Sequence, residues 1–159
     1  MLGRPHAQRL RQDLNEIRNE LIEVVRKFPP EELDGTPAPG MKSCKALLQE
    51  IAAMEALNRR WVSHQEMLDW EAVTRTVEGD SAEALLATLE PVRAETLAYL
   101  DNCTEEQLQT PIPLPEAWRQ FFDNASVIEP EELIRWVARH EYYHLGQLII
   151  YRWMRGDSP

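Results

Sequence analysis

Two histidines, His140 and His144, stand four residues apart in the run His-Glu-Tyr-Tyr-His-Leu-Gly-Gln-Leu, inside a long segment with helical apolar spacing. Positions i and i+4 of a helix lie one above the other, so both imidazoles can reach a single ion. On a wheel of roughly 100° per residue, Leu133, Val137, His144, Gln147 and Tyr151 all fall within about 60° of His140. The pair therefore rides a buried stripe, where an unpartnered polar group is costly. Something polar has to face it. Glu50 fits that need: it lies three residues after Leu47, one before Ile51 and four before Met54, on the buried stripe of its own helix. A charged side chain is rare there unless it is paired or coordinates a metal. Two imidazole nitrogens and one carboxylate oxygen resemble the ligand sets of catalytic zinc and of two-histidine, one-carboxylate iron, with a position left for water. A metal-free, hydrogen-bonded Glu-His pair is the competing reading of the same residues.

The run His140-Glu141-Tyr142-Tyr143-His144 also satisfies the His-Glu-x-x-His pattern of zinc proteases. In that scheme Glu141 is the general base, reaching a metal-bound water from the adjacent helical face; its alternative is a carboxylate at the bundle edge beside Arg139. No later His or Glu supplies a third ligand, and no strands are present to dock an extended peptide. The protease reading is set aside, and Glu141 is kept as the candidate catalytic base of any hydrolytic scheme.

Four amphipathic helices are expected to position these groups. Leu10, Leu14, Ile17, Leu21, Val24, Val25 and Phe28 mark the first, from Pro5 to Phe28, ended by Pro29-Pro30. Ser43 caps a second that runs to about Glu66, and Asp80 or Ser81 caps a third that reaches Leu100 and bends at Pro91. Between Gln107 and Val127 the prolines and Trp118, Phe121 and Phe122 predict a loop that lays aromatics over one end of the domain, with a short helix at Pro115 to Phe122. Glu129, Pro130, Glu131 and Glu132 open the last helix, which runs to about Arg155. The expected fold is all-α, a four-helix bundle forming one domain over residues 1–159, with two connections too long for simple up-down order to be assumed.

Composition narrows the function classes. The chain has 159 residues, 43% of them apolar and 28% charged, and no run approaches the length of a membrane span. The net charge of −10 repels nucleic-acid phosphate. No nucleic acid and no membrane are expected as partners. The N-terminal stretch lacks the apolar core of a secretory signal, so a cytoplasmic location is expected. Cys44 and Cys103 lack paired spacing and are expected as free thiols. Cys44 falls in the first turn of the second helix, where the dipole would lower its pKa, but with no identified base an inert small residue is the expected reading. His64 is expected on the surface.

Ser43, Glu50, Glu55 and the ending His140, His144, Gly146, Gln147 resemble the DinB/YfiT-like superfamily, from the second helix to the fourth. The resemblance implies a four-helix bundle, one divalent ion held by three residues from helices two and four, and frequent homodimers. It implies activity as a metal-dependent hydrolase or a thiol-dependent transferase on a small-molecule substrate. The family's usual first ligand is histidine, and Glu50 stands in its place. That carboxylate admits zinc, nickel, manganese or iron, shifts preference toward harder ions and weakens the case for thiol chemistry. The alternative of another class is a non-enzymatic metal-binding or interaction bundle whose site is structural or vestigial.

Overall fold

In the computed structural model, which describes residues 4–157, four long helices form the bundle: α1 (Pro5–Val25), α2 (Cys44–His64), α4 (Ala82–Asn102) and α6 (Pro130–Met154). Two short helices, α3 (Trp70–Thr74) and α5 (Glu105–Gln109), lie in the connections. The first three residues of the stretch read against a secretory signal fall outside the described range.

Each long helix starts where its sequence supplies a start. Ser43 and Ser81 accept hydrogen bonds from the Ala46 and Ala84 amides, which satisfies donors the first turn would otherwise leave free. Pro130 occupies the first turn of α6, with Glu131 and Glu132 against the positive end of the dipole. Helix α4 continues through Pro91. The proline's missing N–H would have bonded the carbonyl of Ala87, a residue on the exposed face of the helix.

The core is a stack of leucines and isoleucines: Leu14 and Leu21 of α1, Leu48 and Ile51 of α2, Leu85 and Leu89 of α4, Leu145 and Leu148 of α6. Helix α6 packs on α1 and α2, and α4 packs on the same two from the other side. Consecutive helices α1 and α2 therefore sit across the bundle from one another. The long segment 26–43 has to cross the end of the bundle, and one 3-10 turn (Pro30–Glu32) lies along it. Near its end Gly40 takes φ +82°, a conformation open to glycine at little cost, and the turn brings Met41 and Lys42 to the mouth between α2 and α6.

The Pro-rich stretch is more ordered than a loop with one helix. Thr104 and Gln107 close a capping box on α5. Strand β1 (Ile112–Pro113) pairs antiparallel with β2 (Val127–Ile128), and a 3-10 turn covers Glu116–Phe121 between them. Two-residue strands are too short to register as alternation in the sequence. The aromatics do pack over the bundle, with Trp118 edge-to-face on Trp61 and Phe122 against Trp136. Among the described residues no helix is long and apolar enough to cross a membrane.

Candidate metal centre

Helix α6 brings the two histidines together as its spacing requires. Their Nε2 atoms are 3.1 Å apart, with the rings nearly perpendicular. Helix α2 presents Glu50 across the gap, its Oε2 3.5 Å from His144 Nε2. Ligands 2.0–2.2 Å from a tetrahedral ion stand about 3.3 Å from one another, so both separations match edges of such a coordination shell. Two imidazoles and a carboxylate are donor types that suit a divalent transition ion. They do not form a closed cage: Glu50 Oε1 is paired with Lys42 Nζ, and among the described residues no group of three His, Cys, Asp or Glu side chains has converged into a metal-holding cluster.

The surroundings orient the histidines. His144 is buried, and its Nδ1 donates to Gln147 Oε1 at 2.6 Å. That bond places the proton on Nδ1 and leaves the Nε2 lone pair facing the gap, the arrangement a metal-binding imidazole needs. Gln147 is fixed in turn by the Tyr143 hydroxyl at 3.4 Å. Burial lowers the His144 pKa, an effect Gln147 and Glu50 partly offset. His140 is driven down to about 4 by burial, then by His144 and by Lys42. Both rings are therefore neutral near pH 7; His144 Nε2 accepts the His140 Nε2–H at 3.1 Å, and an ion bound by both nitrogens would require that proton to move to His140 Nδ1. The pocket around them measures about 480 Å³ and includes Met41, Lys42, Tyr143 and Tyr151. Lys42 lies in a connection and carried no signal in the sequence.

Glu141 is not at this site. Its side chain is 1% exposed and points to the bundle interior, where Oε1 accepts from Arg18 Nε at 2.6 Å and Oε2 from Arg93 Nη2. Glu55 completes the group, bonded to Arg93 Nε at 2.7 Å and Arg18 Nη2 at 2.9 Å. One residue from each long helix thus enters a neutral, buried square of two guanidiniums and two carboxylates. Burial alone would raise the Glu55 pKa; Arg93 and Arg18 together outweigh it and hold the carboxyl low. The same pairing raises Arg18 against its own burial. Glu141 can neither serve as the base imagined for it nor sit at the bundle edge, because both its oxygens are committed inside.

Cys44 is the inert small residue, not the dipole-activated thiol. It is 1% exposed, and burial pushes its thiol up to about 12, which overrides the helix dipole and leaves it unreactive. Cys44 and Cys103 are both free and buried. His64 is exposed, bonded to Ser63, and lines a separate open depression bounded by α2, α4 and α5.

A bundle in which α6 packs between α1 and α2, with a histidine pair on α6 facing a carboxylate on α2, defines a class. The family's sequence model matches residues 13–148, and the chain belongs to the DinB superfamily. Its fold is similar to that of a conserved protein from Enterococcus faecalis, at TM-score 0.71 and 20% identity over 94% of this chain and 97% of that one. The DinB-like protein YjoA from Bacillus subtilis superposes at TM-score 0.69 and 20% identity, covering 94% and 93%. YfiT from Bacillus subtilis, described as "a probable metal-dependent hydrolase with an unusual four-helix bundle topology", gives TM-score 0.71 at 16% identity, covering 99% and 92%. At such identities the likeness establishes the fold. No curated protein matches the sequence.

Proposed function

We propose that this chain is a metal-dependent hydrolase in which Glu50, His140 and His144 hold one divalent ion at the mouth between α2 and α6. The observation that carries the reading is the histidine pair itself: two neutral imidazoles with Nε2 atoms 3.1 Å apart, one fixed by Gln147, facing a carboxylate. An ion bound there supplies Lewis acidity toward a carbonyl or phosphoryl oxygen and acidifies water. The chain's own residues set the stage for that chemistry. Gln147 holds the His144 tautomer, and Lys42 places a cation beside Glu50 at the edge of the pocket. Hydrolysis is favoured over thiol transfer because the carboxylate ligand suits harder ions than those that hold a thiolate.

The homodimer implied by the family resemblance has a candidate face on α6, where Tyr142, Tyr143, Ile150, Trp153 and Met154 are exposed beside the pocket.

The test is turnover of ester, amide and phosphomonoester substrates by protein reconstituted separately with zinc, nickel, manganese and iron. The proposal expects one ion to support hydrolysis that Glu50→Ala and His144→Ala abolish. Stoichiometric metal with no turnover in any class would favour the non-enzymatic bundle instead.

A further inference from the structure

We propose that an aromatic cavity one helical turn from the histidine pair receives the apolar arm of the substrate. The substrate class it defines is a neutral molecule carrying an aromatic or branched apolar group about 6 Å, one turn of helix, from its scissile carbonyl. The position of the carbonyl rests on the metal-site reading above; the cavity stands on its own geometry.

The cavity has a volume of about 310 Å³, at the lower end of small-molecule sites. Met54 and Asn58 of α2 form one wall and Trp136 of α6 the other. Trp70 of α3, Trp118 of the 3-10 turn and Phe122 just after it line it as well. Met54 is four residues after Glu50, and Trp136 is four before His140, so each wall extends a ligand stripe by one turn. Residue number rises along one wall as it falls along the other, as antiparallel helices require. The cavity thus lies one turn along the same pair of helices from the histidine pocket, with a lining of its own.

Its chemistry selects the occupant. Among the described residues no charged side chain lines it, so an ionic arm would shed its hydration without gaining a counter-ion. Flat aromatic walls favour a ring or a branched group. Trp61 spends its indole N–H on the Pro113 carbonyl at 2.8 Å, whereas those of Trp70, Trp118 and Trp136 have no acceptor among the described residues. They remain available to an ether or carbonyl oxygen on the arm. Access is open, since Trp70 is partly exposed and Phe121 at the rim is 59% exposed. The aromatic wall opposite the bundle comes from the long connections that follow α2 and α4, and long connections in a compact domain are commonly functional.

The experiment titrates isotope-labelled, full-length protein with N-benzylacetamide, and with acetamide as the probe lacking an arm, while the indole N–H resonances are followed. Saturable shifts at Trp70, Trp118 and Trp136 are expected from the first probe and none from the second. Phe121→Ala, at an exposed position that should leave the fold intact, is expected to weaken binding roughly five- to tenfold. Met54→Trp fills the cavity and should abolish binding. With manganese(II) bound, the acetyl protons of the amide should relax faster than its ring protons. Absence of saturable shifts, or shifts that neither variant alters, overturns the cavity assignment. Shifts in a protein that takes up no metal would uphold the cavity and overturn the metal site. Ring protons relaxing faster than acetyl protons would overturn the placement of the carbonyl.

Discussion

Burial keeps His140 neutral down to about pH 4, whereas an unfolded chain protonates the same imidazole near 6.5. Between those values the unfolded state binds a proton that the folded state refuses, so stability rises with pH across the window. The stabilisation is complete above about pH 6.5 and is lost progressively as pH falls toward 4. Metal-free protein should therefore melt at a distinctly lower temperature at pH 5 than at pH 7.5, and His140→Gln should flatten that dependence. An unchanged slope in the variant would mean that other groups control it. The histidines were legible in the sequence because i,i+4 spacing survives any packing arrangement. Lys42 was not, since its place beside Glu50 depends on how the 26–43 connection crosses the bundle and on the turn at Gly40.

Helix α6 serves two surfaces at once, and neighbouring residues separate them. His140 and His144 face the mouth, while Glu141, about 100° further round, enters the interior with Arg18, Glu55 and Arg93. Removing one member of a buried ion group leaves the others uncompensated, typically at about 3–5 kcal/mol. Glu141→Ala should lower the unfolding free energy by about that amount in a denaturant titration while metal stoichiometry is retained. Loss of metal from a folded Glu141→Ala protein would return Glu141 to the site. The network could have been found by the argument that identified Glu50. Arg18 follows Leu14 by four residues, Arg93 follows Leu89 by four and Glu55 follows Ile51 by four, each a charge on a buried stripe. What the spacing does not reveal is which charges meet, because that depends on the order of helices around the bundle.

At the scale of the molecule, the four long helices and their approximate boundaries were readable because caps, prolines and a 3.6-residue period agree, whereas the five-residue helix α5 was not. The arrangement was not, since α1 and α2 are consecutive yet lie across the bundle from one another. The two-residue strands β1 and β2 gave no signal because two residues are too few to show alternation. The exposed apolar face of α6 leads to one expectation for the assembly: the chain should sediment with the mass of a dimer, and Trp153→Glu should convert it to monomer without unfolding it. A monomeric parent protein would remove that face as an interface. The claim on which the account rests is that residues from two helices hold one ion. Elemental analysis of untagged protein, repeated on His144→Ala, tests it most directly. The account predicts about one divalent ion per chain, lost in the variant while the helical spectrum is kept. No metal in either protein, even after reconstitution with zinc, nickel, manganese and iron, would contradict it and leave a hydrogen-bonded Glu-His core.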